Sequence, residues 1–121
     1  MTIKGLIDKV QEEKPNAFSD EKLLSFINEI ESETAEQLAN TEWVPYDAVD
    51  TTELLVTEPY SRLYVSYVKA MIDLSNEEYG SYQNNQAQHV QDFRDFVDWV
   101  IREGKANADN HRVPTRIKNI L

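Results

Sequence analysis

Between Thr57 and Ile72 the residues Tyr60, Leu63, Tyr64, Tyr67, Val68, Met71 and Ile72 recur at spacings of one, three and four. Only a helix of about 3.6 residues per turn gathers that set onto one face, whereas a strand would send it to both sides of a sheet. The stretch is therefore committed to a helix with one buried stripe, and such a helix needs others to pack against. Thr57 suits the N-cap, and Pro59 is tolerated in the first turn because its missing N–H would have had no partner there. The spacing predicts a helix that begins near Thr57.

The same period appears elsewhere in the chain. Ile3, Leu6, Ile7 and Val10 form the stripe of a short helix closed by Pro15-Asn16. Phe18-Ser19-Asp20-Glu21 opens a second, with Ser19 as N-cap, two acids at the positive helix start and Phe18 placed to staple onto Leu23. Leu23, Ile27, Ile30, Thr34 and Leu38 make its inner stripe, while Glu29, Glu33 and Glu36 face outward, and the helix is expected to run to about Ala39. Ser75-Asn76-Glu77-Glu78 reads as a capping box for a further helix. Along it Tyr79, Tyr82, Gln86, His89, Phe93, Phe96 and Val100 share a face, and Gly104 ends it as the C′ residue. Asp92, Asp95 and Asp98 read as its solvated face, beside which Trp99 projects with Arg102.

Periodicity vanishes from Asn40 to Thr51, where Trp43-Val44-Pro45-Tyr46 reads as an ordered loop that plugs a core edge or anchors an interface. Glu53-Leu54-Leu55-Val56-Thr57 has strand character only as a brief pairing segment in a multimer. The expected fold class is all-α, an antiparallel bundle of about four helices with an extended C-terminal arm. Residues 1–103 form the helical domain and 104–121 the arm.

Charge divides the chain at the same place. Of its 22 acids and 12 Lys and Arg, residues 1–103 hold 21 and 8, a net of −13, and residues 104–121 hold 1 and 4, a net of +3. An acidic body has little general affinity for phosphate backbones. With no cysteine, disulfides and thiolate metal sites are excluded, and the chain suits a reducing compartment. The start, Met1-Thr2-Ile3-Lys4-Gly5-Leu6, lacks an apolar signal region, and no apolar run approaches the roughly 18 residues that span a bilayer. No catalytic residues, cofactor-binding motif or metal cluster stand out: His89 and His111 are far apart, and three glycines cannot build a phosphate-binding loop.

Several phrases of the body resemble the small helical head–tail connector proteins of long-tailed phages and prophages, also called adaptor or head-completion proteins. They are Lys14-Pro15-Asn16-Ala17-Phe18-Ser19, Val44-Pro45-Tyr46, Thr52-Glu53-Leu54-Leu55-Val56, and Glu58-Pro59-Tyr60 with Leu63, Tyr64 and Tyr67. Ile72-Asp73, Asn76, Glu78, Tyr82 and Asn84-Asn85 continue the likeness, which covers roughly residues 5–100 and carries no catalytic signature.

The resemblance implies a non-enzymatic subunit of the virion neck, made in the host cytoplasm and without a membrane role. It implies a homo-oligomeric ring, commonly twelve-fold, set beneath the portal protein and offering a surface to a tail-proximal neck protein, with the free subunit open to being a monomer. DNA would pass through without tight binding, because an acidic lumen repels the duplex. By the same analogy Arg112, Arg116, Ile117, Lys118, Ile120 and Leu121 would grip the portal, and Trp43, Tyr46 and Trp99 would meet neighbouring subunits. The competing expectation is an acidic DNA mimic or regulatory protein of a mobile element, to which the basic arm contributes nothing.

Overall fold

Four helices account for the regular structure in the computed structural model, which describes residues 1–104. They are α1 (Ile3–Glu13), α2 (Asp20–Gln37), α3 (Arg62–Ser75) and α4 (Tyr79–Glu103). The all-α expectation holds among these residues, with α3 lying mainly against α4 and α1 and α2 completing the bundle. Ile3, Leu6, Leu23, Ile27, Ile30, Leu63, Tyr64, Ile72, Phe96 and Val100 meet in one core, as the sequence stripes require. Ser19 accepts a hydrogen bond from the Lys22 N–H (3.1 Å), and Gly104 closes α4 in the left-handed region (φ 61°). Phe18 sets its ring edge-on to Phe26, 6.2 Å away, as the aromatic partner at the start of α2.

The connection between α2 and α3 departs furthest from the sequence reading. α3 begins at Arg62, and Thr57–Tyr60 forms a turn closed by the Tyr60 N–H on the Thr57 carbonyl (3.0 Å), with a cis peptide between Glu58 and Pro59. Leu54 and Val56 are buried in the core, the chain bends at Leu55 and Val56 to place them there, and the cap signal at Thr57 yields to that burial. Their segment also finds its pairing partner inside the same chain. Thr2 bridges Glu53, the Leu54 N–H reaches the Met1 carbonyl, and the carbonyls of Asp50 and Thr52 accept the Lys4 and Ile3 N–H groups (3.0 Å each). Two of the N–H groups that any helix leaves orphaned at its start are thereby satisfied by a loop some 50 residues away.

Two buried carboxylates lock the bundle. Glu31 of α2 is fully buried and accepts from the Thr34 and Tyr64 hydroxyls (2.5 Å each), the Tyr46 hydroxyl (2.7 Å) and the Leu55 N–H (2.9 Å). One side chain thus joins α2, both halves of the α2–α3 loop and α3. Burial and the neighbouring carboxylate push the Tyr64 hydroxyl far above its usual value, which keeps it a donor. The same hydroxyl accepts the Val56 N–H (2.9 Å), and Asn28 clasps the loop with its amide on both the N–H and the carbonyl of Tyr46.

At the far end Asp73 of α3, also fully buried, takes Lys14 from the end of α1 (2.5 Å) and Ser81 (2.8 Å) and Asn85 (2.6 Å) from α4. Burial alone would raise its carboxyl, but Lys14, Asn85 and Ser81 outweigh that and hold it below the usual range. This arrangement replaces the expected capping box. Ser75 remains inside α3, Glu77 takes a positive φ of 58°, and the Glu78 N–H turns back onto the Asp73 carbonyl.

Replacing Glu31 by alanine strands two tyrosine hydroxyls and a backbone N–H in the interior, and should cost about 4 kcal/mol of stability. Glu31→Gln keeps one acceptor oxygen and should cost less. Urea denaturation followed by circular dichroism measures both; equal, small losses would show that the network does not hold the loop.

Candidate functional site

Among the described residues no group of three or more His, Cys, Asp or Glu side chains is placed to hold a metal ion. His89 is buried between α3 and α4. Its Nδ1 lies 3.0 Å from the Leu63 carbonyl, an acceptor, so Nδ1 carries the proton, and its ring stands between Tyr67 and Phe93. No helix among the described residues is long and apolar enough to cross a membrane.

The surface offers a groove of mixed charge, whose lining also includes Glu58, and an acidic helix face. A groove of about 640 Å³ runs between α1, α3 and α4 and is lined by Lys9, Arg62 and Lys69 together with Glu13, Val65 and Asp92. Those cations are three of the eight in residues 1–103. Lys9 and Lys69 share the single carboxylate of Glu13, at 3.4 and 3.2 Å, while Arg62 lies 4.0 Å from Asp92 and 3.8 Å from Asp95. Ser61 also lines the groove. It is 1% exposed, and its hydroxyl has no hydrogen-bond partner.

The second feature is the outer face of α2, where Glu29, Glu33 and Glu36 are all exposed. Partial desolvation, and after it Glu36 and Glu29, push the Glu33 carboxyl above its ordinary value. Glu29 accepts from the Tyr67 hydroxyl (2.9 Å), and Glu36 borders a shallow depression with Trp43.

The aromatic residues singled out from sequence divide between these surfaces and the core. Trp43 and Tyr46 pack edge to face, 5.8 Å apart, and both are half-buried, so the loop does plug a core edge. Trp99 is turned inward more than its acidic flank suggests. It stacks on Phe96 (6.2 Å) and on Tyr60 (5.4 Å), because Tyr60, displaced from the helix into the preceding turn, covers the end of α4. Asp92, expected on a solvated face, is buried, one helical turn from both His89 and Phe96. Arg112, Arg116, Ile117, Lys118, Ile120 and Leu121 lie outside the described residues.

Sequence reasoning missed Glu31 and Asp92 as buried groups. A signal existed for each: Glu31 falls four residues after Ile27 and three before Thr34, and Asp92 three after His89 and four before Phe96. No family model, curated protein or solved structure matches the chain.

Burial lowers the His89 imidazole below its ordinary value, with the Leu63 carbonyl and Asp92 opposing it. On the acid side the unfolded chain therefore binds a proton that the folded one resists. This contribution is complete above about pH 6.5 and is lost as pH falls through the depressed folded value. Urea midpoints measured down a pH series should fall below about pH 6.5 for the wild type, and His89→Gln should flatten that part of the slope.

Proposed function

We propose that the chain is a structural head–tail connector subunit that assembles as a ring beneath a phage portal, extends the DNA channel and joins head to tail. The observation that carries this reading is the division of charge, −13 over residues 1–103 against +3 over 104–121. A body so acidic gives a duplex no grip, which suits a conduit. A basic, partly apolar segment at one end suits attachment to another protein. The phrases shared with connector proteins support the same reading, as does a helical body whose buried polar groups serve the fold.

In this reading Arg112, Arg116, Ile117, Lys118, Ile120 and Leu121 bind the portal, and the ring is homo-oligomeric. The exposed edges of Trp43, Tyr46 and Trp99 belong to contacts between subunits. The complementary face meets a tail-proximal neck protein in the virion.

DNA-filled heads lacking a neck, mixed with the purified chain and imaged by electron microscopy, should gain density beneath the portal. A chain ending at Glu103 should give none. Unchanged binding by the truncated chain would sink the role of the basic segment. Failure of the full chain to bind, combined with competition against DNA for a DNA-binding enzyme, would favour the DNA-mimic reading instead.

A further inference from the structure

Large apolar side chains left in solvent are few among the described residues, and three of them lie on α4: Tyr79 (57% exposed), Val90 (42%) and Ile101 (50%). Each is eleven residues from the next. Eleven residues make about three turns of a helix with about 20° left over, so the three line one slowly winding stripe along α4. Gln83, Ala87 and Arg94 fill the gaps on the same exposed side, while Phe93, Phe96 and Val100 turn to the core. Two polar groups of the stripe are also unengaged. Arg94 has no carboxylate partner among the described residues, and the Gln86 side-chain oxygen, one turn before Val90, is buried without a hydrogen-bond partner.

We infer that residues 105–121 of the same chain dock along this stripe in the free subunit, with Ile117, Ile120 and Leu121 seated about Val90. The segment starts at the foot of the stripe: it leaves α4 at Gly104, three residues past Ile101, where the left-handed turn (φ 61°) takes the chain off the helix. Its reach suffices. Residues 105–116 can span up to about 40 Å, whereas Val90 lies only about 21 Å back along α4 from Gly104. The segment supplies what the stripe lacks, with three apolar residues within five positions and, in Arg112, Arg116 and Lys118, donors for the Gln86 oxygen. Its single acid, Asp109, is the counter-charge absent from Arg94, and its net +3 is drawn to a body of −13. A segment tethered this closely meets its own subunit at an effective concentration on the order of mM, so in micromolar protein it docks in cis before it reaches a second copy.

Docking covers the residues assigned above to the portal, and only this consequence rests on the portal reading. A portal would have to win the segment from α4, which lowers its apparent affinity by the docked fraction and keeps an apolar end out of solvent until a head is met.

Because the chain has no cysteine, a single spin label can be placed at Asn119→Cys in the full chain and read through its assigned backbone amide resonances. Resonances around Val90 should lose most of their intensity. They should regain it when the labelled chain also carries Ile117→Ser and Ile120→Ser, changes that leave the helical body untouched. In an equal mixture of isotope-labelled chain without the spin label and spin-labelled chain without isotope, they should stay sharp.

Full intensity at Val90 in the labelled chain, or a loss that survives the two serines, would overturn the docking. A loss of intensity in the mixture would overturn docking in cis and assign the stripe to the segment of a second copy. Neither result bears on the portal reading, which the imaging of heads decides by itself.

Discussion

The arrangement of this protein depends on a buried carboxylate that has to be satisfied. Glu31 lies inside α2, out of water, and no lysine or arginine pairs with it among the described residues. A buried charge without a counter-ion needs several good hydrogen bonds. Those come from Thr34, Tyr46, Tyr64 and the Leu55 N–H, and supplying them fixes where the α2–α3 loop runs. The loop in turn presents Leu54 and Val56 to the core and the Asp50 and Thr52 carbonyls to α1. One acid thus organises a connection of more than twenty residues that has almost no regular structure of its own.

Asp73 does the corresponding work at the other end with different means. It has a lysine, and the ion pair with Lys14 is strengthened by hydrogen bonds from α4. The two sites divide the bundle's polar interior into a neutral-donor network and a charge-paired one. Protonating Asp73 would remove the nearer counter-charge of Lys14 as well as an acceptor. Both are structural uses of carboxylates, as is the burial of Asp92 on α4.

The helices were legible because each carries its own period: Ile3 to Val10, Leu23 to Thr34, Leu63 to Ile72 and His89 to Val100 lie along the stripes their spacing implies, with Leu38, Tyr67 and Met71 half-buried at the edge of the core. Local signals failed where long-range bonds overruled them. Thr57 and Pro59 spell a helix start, yet the burial of Val56 and its N–H bond to Tyr64 hold the chain out of the helix and push its start to Arg62. Ser75 spells a cap, yet Asp73 draws the turn around itself. The groove was not legible, because Lys9, Arg62 and Lys69 come from two helices whose relative placement no local pattern encodes. The outer α2 stripe was, since its three glutamates share one helix.

The pairing of Met1–Lys4 with Asp50–Leu54 has a consequence for synthesis. Residues 3–13 could wind into a helix as soon as they are made, but the carbonyls that receive the Ile3 and Lys4 N–H groups belong to a segment made some fifty residues later. Until that segment emerges, α1 is a short, marginal helix held at its start only by the Thr2 hydroxyl on the Gly5 N–H, and Tyr64 must follow before Glu31 has its full set of donors. The first helix of the chain is therefore secured only by residues made well after it, although still before α3 and α4.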